Sequence, residues 1–313
     1  MTADRTDRHH GALLGLAAGD ALGTTLEFTR KGDVEPIDDM IGGGPFGLRP
    51  GYWTDDTSMA LCLAESLVER EAFDPHDQMT RYLRWWREGH WSSTGTCFDI
   101  GNATGAALER FEADGNPFAG RSDPRSAGNG SLMRLAPVPM RYVDDPAQAV
   151  RYAADSSRTT HAAREAVDAC RYFAALLIGA LNGHDKGDLL SPRFAPRGVD
   201  WTRDPLAPAI DAIAAGSFRH KTEHEIRASG YVVHTLEAAL WAFSRTNDFR
   251  DGALLAVNLG EDADTTGAVY GQLAGAYYGA RAIPEAWRSK VVKREEIERL
   301  ASALLERAVA DAT

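Results

Sequence analysis

The sequence predicts an all-α protein that folds as one compact helical domain. Apolar residues recur at three- and four-residue spacing along much of the chain, whereas alternating strand patterns are hard to find. The 313 residues, 44% of them hydrophobic, could form one large domain or two ordinary ones. Because the Gly/Pro-rich stretches 42–50 and 192–208 are interpreted as loops between helices, we predict a single domain over 9–313 and disorder over 1–8.

The clearest helical patterns, in chain order, cover residues 57–70, 164–182, 230–244 and 294–309. Each of them places its apolar residues along one face. Two further segments, 11–23 and 267–279, carry glycine at every fourth position. This spacing puts the glycines in a row on one helix face, where each costs roughly 1 kcal/mol relative to alanine. Close backbone approach would offset that cost. We therefore predict tight packing of these two helices, with each other or with another element; coincidence in an Ala/Gly-rich chain is the alternative.

Charge and cysteine content limit the classes of partner and compartment. The net charge of −11 argues against non-specific nucleic-acid binding, although a small basic pocket for a phosphate-bearing ligand remains compatible with it. Three cysteines without a C-x-x-C pair predict neither a disulfide framework nor a zinc–thiolate site. We therefore expect a cytoplasmic protein. The short apolar stretch 11–18 follows Asp4 and Asp7, runs into Asp20 and lacks a cleavage motif, so we do not expect a signal peptide. No segment approaches the ~20 apolar residues of a membrane helix. The oligomeric state is not determined by the sequence; a monomer is the working expectation.

Two short acidic segments each precede an apolar helical pattern. The first is WTDDTSMAL at 53–61, and the second is GEDADTTGAVYG at 260–271. Helix capping and the helix dipole would be a sufficient explanation of either segment alone. Several carboxylates converging in a core, however, repel one another unless cations accompany them. The candidate ligands are the oxygen donors of the two segments: Thr54, Asp55, Asp56, Asp262, Asp264 and Thr265.

Oxygen donors select the kind of metal. Mg²⁺ and Mn²⁺ favour carboxylate, hydroxyl and water oxygens, and the chain lacks the Cys/His sets that zinc prefers. We therefore predict a site for two divalent cations, Mg²⁺ or Mn²⁺, without choosing between the two.

Seven segments, taken in order, resemble the ADP-ribosylglycohydrolase family, and within it the bacterial dinitrogenase-reductase-activating glycohydrolase type. They are GALLGLAAGDALGTTLEF (11–28), WTDDTSMAL (53–61), FDIGNAT (98–104), GNGSLMRLAPV (128–138), TTH (159–161), SGYVVHTLEAALWAF (229–243) and NLGEDADTTGAVYGQLAGAYYG (258–279). The resemblance spans nearly the whole chain, and the combination of TDDT, GNGSLMR and D-x-D-T-T-G-A is specific where any one of them would not be.

The resemblance implies a helical fold with a binuclear metal centre at the base of a cleft. By position, the TDDT segment matches the first ligand group and the D-x-D-T segment the second, with Asp264 the candidate to bridge both ions. The implied catalytic residues are Glu27, Asp55, Asp56 and Asp99. The implied ligand-binding residues are Gly128, Asn129, Gly130, Ser131, Met133, His161 and Tyr231. A glycine turn, a single histidine or a helical tyrosine is more often structural, so these assignments depend on the resemblance.

One departure from the family pattern lies beside His161. Many relatives have T-H-x-x-P, whereas this chain continues Ala162-Ala163-Arg164. The lining near His161 is therefore expected to differ, which weakens any transfer of exact substrate preference.

The implied activity is metal-dependent hydrolysis that releases ADP-ribose from a modified target. A metal pair can grip the ribose hydroxyls and activate a water, while Glu27 or Asp99 would handle protons in an unassigned order. ADP-ribosyl-arginine on a protein is the favoured target; serine, a nucleic-acid base or a small metabolite stay open. Two alternatives are an inactive ADP-ribose-binding protein and a metal-dependent phosphohydrolase.

Overall fold

Helices dominate the architecture, which we describe from a computed structural model covering residues 3–311. This part of the chain forms fourteen α-helices: α1 Arg5–Gly23, α2 Asp55–Glu69, α3 Pro75–Glu88, α4 Asn102–Asp114, α5 Pro137–Arg141, α6 Pro146–Thr160, α7 Arg164–Leu181, α8 Lys186–Leu189, α9 Pro208–Ala214, α10 Val232–Arg245, α11 Phe249–Val257, α12 Ala263–Tyr278, α13 Glu285–Arg288 and α14 Arg294–Asp311. Pairing between extended segments is limited there to three isolated β-bridges. The prediction of a single all-α domain is confirmed.

The two glycine-rich helices, α1 and α12, pack against each other at the centre of the molecule. Their glycine rows face one another in antiparallel order: a Cβ added at Gly11 would lie 2.1 Å from the carbonyl oxygen of Gly275. A Cβ at Gly19 would lie 2.0 Å from the carbonyl oxygen of Gly267. Because these neighbours are backbone atoms, only glycine permits this approach. The predicted reason for the rows, close packing, is confirmed, and the partner of each helix is the other.

The N-terminus corrects the predicted domain boundary. Disorder was expected over residues 1–8, yet helix α1 already begins at Arg5. The side chain of Asp4 caps this helix by accepting the amide N–H of Asp7. The Arg8 guanidinium then donates to the carbonyl oxygens of Ala180 and Tyr277, at 3.0 and 2.7 Å. Composition did not reveal these long-range partners. Residues 1 and 2 lie outside the described residues.

The fold brings three helix ends to one place. Helix α1 ends at Gly23 and leads through a 3-10 turn into Glu27, while α2 and α12 both begin with buried acidic residues. The start of α4 and the turn at 128–133 complete the surroundings. Over residues 3–311, no helix has the length and apolar character needed to cross a membrane. The three cysteines are free thiols, as their spacing predicted.

Candidate active site

A cleft of about 500 Å³ opens where these elements meet. The carboxylates lie together in what we call the acidic end of the cleft, and the glycine turn with His161 forms the adjoining wall. Its lining comprises Glu27, Phe28, Asp55, Asp99, Ile100, Gly101, Asn102, Ala103, Thr104, Gly128, Asn129, Gly130, Met133, His161, Gly230, Asp262, Asp264 and Thr265. Two larger hollows elsewhere, of about 570 and 620 Å³, are lined by three acidic residues and by none, compared with five here, which makes this cleft the candidate site.

The two acidic segments predicted to hold metal do meet. The Thr54 hydroxyl of the first segment lies 3.3 Å from Oδ2 of Asp264 in the second. Likewise, the Thr265 hydroxyl of the second segment lies 3.4 Å from Oδ2 of Asp56 in the first. All four of these residues are buried, although 210 positions separate Thr54 from Asp264 in the chain. The packing of α1 against α12 therefore assembles one site from both segments.

Two further carboxylates, Glu27 and Asp99, reach the same place from other elements. One oxygen each of Glu27, Asp99 and Asp264 can be chosen so that all lie within 4.8 Å of one another. Asp99 adopts a left-handed backbone conformation, with φ of 59°, which is uncommon for a residue other than glycine. Such a conformation persists only where the surroundings enforce it, as they often do at functional sites.

Burial and mutual repulsion raise the pKa values of these acids. Burial is the largest cause at Glu27 and, with the charge of Asp99, raises the pKa of Glu27 to about 9. Burial and the charge of Asp20 raise the pKa of Asp99 to about 7. The pKa values of Asp55, Asp56 and Asp264 are also raised well above the ordinary value, again first by burial. The cluster thus holds more negative charge than its surroundings can neutralise.

Unpaired oxygens in the cluster fit divalent cations. Oε2 of Glu27 and Oδ1 of Asp56 are buried and have no hydrogen-bond partner among the described residues. A buried carboxylate oxygen without a donor is costly, and either a metal ion or a proton on the carboxyl group would relieve that cost. The donors around these atoms are carboxylates and hydroxyls, which suit a hard cation. The acidic cluster can therefore hold metal.

A buried aspartate on α1, Asp20, organises the first acidic segment, and sequence analysis did not identify it. One carboxylate accepts the backbone N–H of Thr54 and of Thr57 at 2.9 and 3.0 Å. It also accepts both threonine hydroxyls, at 2.9 and 2.6 Å. Asp20 thus caps helix α2 from a different helix, although Thr54 occupies the N-cap position and makes no capping bond of its own. The only sequence signal was an acidic residue inside an apolar helix.

The glycine turn at 128–130 contacts protein groups that orient the site. Asn129 donates from its side-chain amide to Oδ2 of Asp262 and to the Thr235 hydroxyl, each at 2.9 Å. A Cβ added at Gly130 would lie 2.8 Å from Cε1 of His161. The glycine therefore allows the turn to lie against the histidine ring. Asn129 was expected to contact the ligand, and here it also fixes an acid of the second segment.

His161 faces the cleft as a neutral ring. Burial, followed by the charge of Arg134, lowers the pKa of His161 to about 3. Its Nδ1 lies 2.8 Å from the Thr160 hydroxyl, and that hydroxyl already accepts a hydrogen bond from Arg134. If the hydroxyl proton is donated to Nδ1, the ring proton lies on Nε2, which can then act as a donor.

Arg134, the last residue of GNGSLMR, is a second organising residue that sequence analysis quoted without assigning. Its fully buried guanidinium donates to the carbonyl oxygen of Gly130 at 2.7 Å and to the Thr160 hydroxyl at 2.8 Å. It therefore ties the glycine turn to the segment that ends in His161. Its burial with these partners is a tertiary feature that the motif alone does not reveal.

Of the predicted ligand-binding residues, Met133 lines the cleft, whereas Ser131 and Tyr231 lie outside its lining. The Ser131 hydroxyl is buried against that of Ser157, 2.8 Å away. Tyr231 donates its hydroxyl to Glu165 at 2.6 Å. The structure thus gives both residues protein partners.

Comparisons with known proteins agree on one family. The family model described as ADP-ribosylglycohydrolase matches residues 1–312. An ADP-ribosylarginine hydrolase Tri1 from Pseudomonas putida is 48% identical over 302 residues, covering 96% of this chain and 79% of that protein. An ADP-ribosyl-[dinitrogen reductase] glycohydrolase from Rhodospirillum rubrum is 33% identical, covering 96% of each. A solved structure titled "ADP-ribosylglycohydrolase-related protein complex" superimposes with a TM-score of 0.85 at 50% identity, covering 97% of this chain and 99% of that one.

Proposed function

Since the chain belongs to the ADP-ribosylglycohydrolase family, we propose that its cleft hydrolyses the N-glycosidic bond between ADP-ribose and an arginine side chain of a modified protein. The enzyme class, a hydrolase of ADP-ribosyl glycosidic bonds, follows from the family itself. The arginine linkage is supported by the name of the Pseudomonas putida relative. The observation that carries the proposal is the meeting of two acidic segments at one end of a cleft.

Two divalent cations, Mg²⁺ or Mn²⁺, would be held by the residues that the sequence predicted. They are Thr54, Asp55, Asp56, Asp262, Asp264 and Thr265, which all lie in or directly beneath the acidic end. Bound there, such cations supply a grip on vicinal ribose hydroxyls and a lowered pKa for water. The unpartnered Oδ1 of Asp56 supports this assignment.

Proton transfer is assigned to Glu27, with Asp99 beside it. Glu27 lines the cleft, and its buried Oε2 has no hydrogen-bond partner among the described residues. Its carboxyl group can therefore hold a proton and donate it to the departing nitrogen of the target. Asp99, whose pKa is raised to about 7 by burial and by the charge of Asp20, has an oxygen within 4.8 Å of one of Glu27 and can assist the transfer. An oxocarbenium-like transition state requires both a proton donor and nearby negative charge.

The diphosphate of ADP-ribose is assigned to polar groups of the cleft wall that adjoins the acids. Helix α4 starts at the cleft wall without a side-chain cap, so its first N–H groups can bind an anion. His161 adds its Nε2–H donor, and the turn at 128–130 adds backbone groups without side-chain bulk. The acids are then left to face the ribose. Sequence analysis did not identify the contribution of α4.

Product analysis tests the proposal. Purified protein is incubated with arginine-, serine- and DNA-linked ADP-ribose, with Mg²⁺ or Mn²⁺ in turn. We expect free ADP-ribose from the arginine-linked substrate. Asp55→Ala and Asp264→Ala should abolish the reaction and weaken metal binding, because each removes a carboxylate from the cluster.

A matched control separates metal binding from helix capping. Asp251 also occupies a first helical turn, in α11, but lies exposed and away from the cleft. Asp251→Ala should therefore retain full activity. Full hydrolysis by Asp264→Ala in metal-stripped buffer would refute the site. Release of inorganic phosphate would instead establish a phosphohydrolase, and ADP-ribose binding without turnover would establish a binding protein.

A further inference from the structure

A second hollow, of about 570 Å³, lies between helices α6 and α7. Its lining includes four arginines, Arg151 and Arg158 on α6 and Arg164 and Arg171 on α7. Three aspartates also line it, so the formal charge is four positive minus three negative, or +1, on a chain whose net charge is −11. This arginine groove and the acidic cleft share no lining residue, although they come close at Ala162, which lines the groove, and His161, which lines the cleft.

Two of the aspartates are engaged in holding the groove together. Asp168 is buried, and its two oxygens accept from Arg171 at 2.7 Å and from the backbone N–H of Ala207 at 2.7 Å. Asp204 accepts a second nitrogen of Arg171. These carboxylates fix Arg171 and the adjoining loop, so they act as internal supports of the wall.

The other three arginines keep most of their donors available. Arg158 pairs through one nitrogen with Asp155. Arg164 donates one nitrogen to the carbonyl oxygen of Pro205, and its Nε lies 3.5 Å from Oδ2 of Asp168. Arg151 forms no ion pair within residues 3–311 and is exposed. Each guanidinium has five N–H donors in a planar fork that matches phosphate oxygens. Three exposed guanidinium groups therefore offer many unused donors around one hollow.

The spacing of the arginines and the floor of the groove indicate the type of ligand. Seven residues separate the arginines on each helix, which corresponds to about 10 Å at ~1.5 Å per residue. The floor between them contains the buried apolar side chains of Val150, Ala154 and Val167. A ligand that combines an apolar body with a chain of phosphates would cover both surfaces, and the volume lies in the usual range for small-molecule sites.

We propose that the arginine groove between α6 and α7 binds a nucleoside polyphosphate, with the phosphates on the guanidinium groups and the base on the apolar floor. The site is independent of the hydrolytic activity proposed for the cleft. Arginine forks bind the phosphate oxygens in pairs, and the small side chains of the floor leave room for a flat ring.

Isothermal titration of the full chain with ATP and with inorganic tripolyphosphate, both in EDTA, tests this proposal. EDTA removes divalent cations, which weakens polyphosphate binding in the carboxylate-rich cleft, and the loss caused by the arginine variant identifies the binding that belongs to the groove. We expect ATP to bind at least tenfold more tightly than tripolyphosphate. The double variant Arg151→Gln/Arg158→Gln should lose at least tenfold in ATP affinity, because it removes two exposed arginines and leaves the ion pairs of Asp168 with Arg164 and Arg171 in place.

A matched control removes two exposed arginines elsewhere. Arg70→Gln/Arg84→Gln carries the same change in net charge but lies outside the groove lining, and it should bind ATP as the unmodified protein does. Absence of ATP binding, or equal losses in both double variants, would overturn the site. Equal affinity for ATP and tripolyphosphate would overturn the nucleoside assignment. Hydrolysis of the ADP-ribosyl substrate with metal present should be unchanged in both variants, which keeps this test separate from that of the cleft.

Discussion

Gly19→Ala tests whether backbone contact between α1 and α12 sets the geometry of the acidic site. The added Cβ would lie 2.0 Å from the carbonyl oxygen of Gly267 and 2.5 Å from its carbonyl carbon, where ordinary contacts begin at 3.4 Å. Both neighbours are backbone atoms of a buried helix, so no side chain can rotate away. The two helices would have to separate by roughly 1 Å to relieve the contact.

Opposing effects decide the sign of the stability change. Helix propensity alone favours alanine over glycine by roughly 1 kcal/mol. Overpacking a tight interior typically costs about 1–3 kcal/mol, and more where the surroundings cannot shift. Because a whole row of glycines shares this contact, we expect the larger cost to prevail, with a net loss of about 3 kcal/mol in the free energy of unfolding. The next position in the row, Gly23, faces the backbone of Ala263 and Asp264, so metal affinity should fall as well.

Urea unfolding measures the first effect, and Gly105→Ala is the matched control. Gly105 also lies inside a helix, α4, but a Cβ there would meet its nearest neighbour at 3.8 Å. That substitution should be neutral or stabilise the protein by up to about 1 kcal/mol. The same chemical change is thus expected to have opposite signs at the two positions. A Gly19→Ala protein as stable as the unmodified one would refute the reasoning.

Two further predictions concern residues that orient the acids. Asp20→Asn places an amide N–H₂ against donors of α2, and we expect a loss of about 3 kcal/mol in stability together with more than tenfold weaker Mn²⁺ binding. Mn²⁺ is titrated into the Asp20→Asn protein well below its melting temperature. An affinity equal to that of the unmodified protein would contradict a role for Asp20 in orienting the site. Asn129→Ala removes the donor to Asp262 and should weaken Mn²⁺ binding about tenfold or more, as other changes behind metal ligands do. If Mn²⁺ binding is intact and only the KM for the ADP-ribosyl substrate rises, Asn129 contacts the ligand as the sequence predicted.

Local periodicity explains how much of the fold the sequence predicts. The helices expected at 164–182 and 294–309 are observed at Arg164–Leu181 and Arg294–Asp311, because their apolar spacing is strong and uninterrupted. The glycine rows were equally informative, since repeated glycine in a helix needs a compensating contact. The start of α1 was missed because its first turn is polar and is held by contacts with residues about 170 and 270 positions away.

The meeting of the two acidic segments could be predicted from the sequence, whereas the residues that orient these segments could not. Carboxylates grouped at the start of a helix are visible in the sequence as motifs. Two such motifs before buried helices need cations to neutralise their charge, and a shared metal site would bring them together. Asp20 and Arg134 act through partners 34 and 26 positions away, on different elements. Their motifs were quoted, but a motif does not specify which element a buried side chain will reach. Tertiary packing decides that.

Helix α1 joins the fold to the site through two adjacent residues. Gly19 brings the helix against the backbone of α12, and Asp20 caps α2. A residue larger than glycine at position 19 would push α1 away from α12, and the two acidic segments would separate with it. Conversely, without the carboxylate of Asp20 the start of α2 would lose its cap, and the first segment would lose its orientation. Gly19 and the buried carboxylate of Asp20 therefore act together: the first holds α1 against α12, the second holds the start of α2, and the two acidic segments stay in contact as a result.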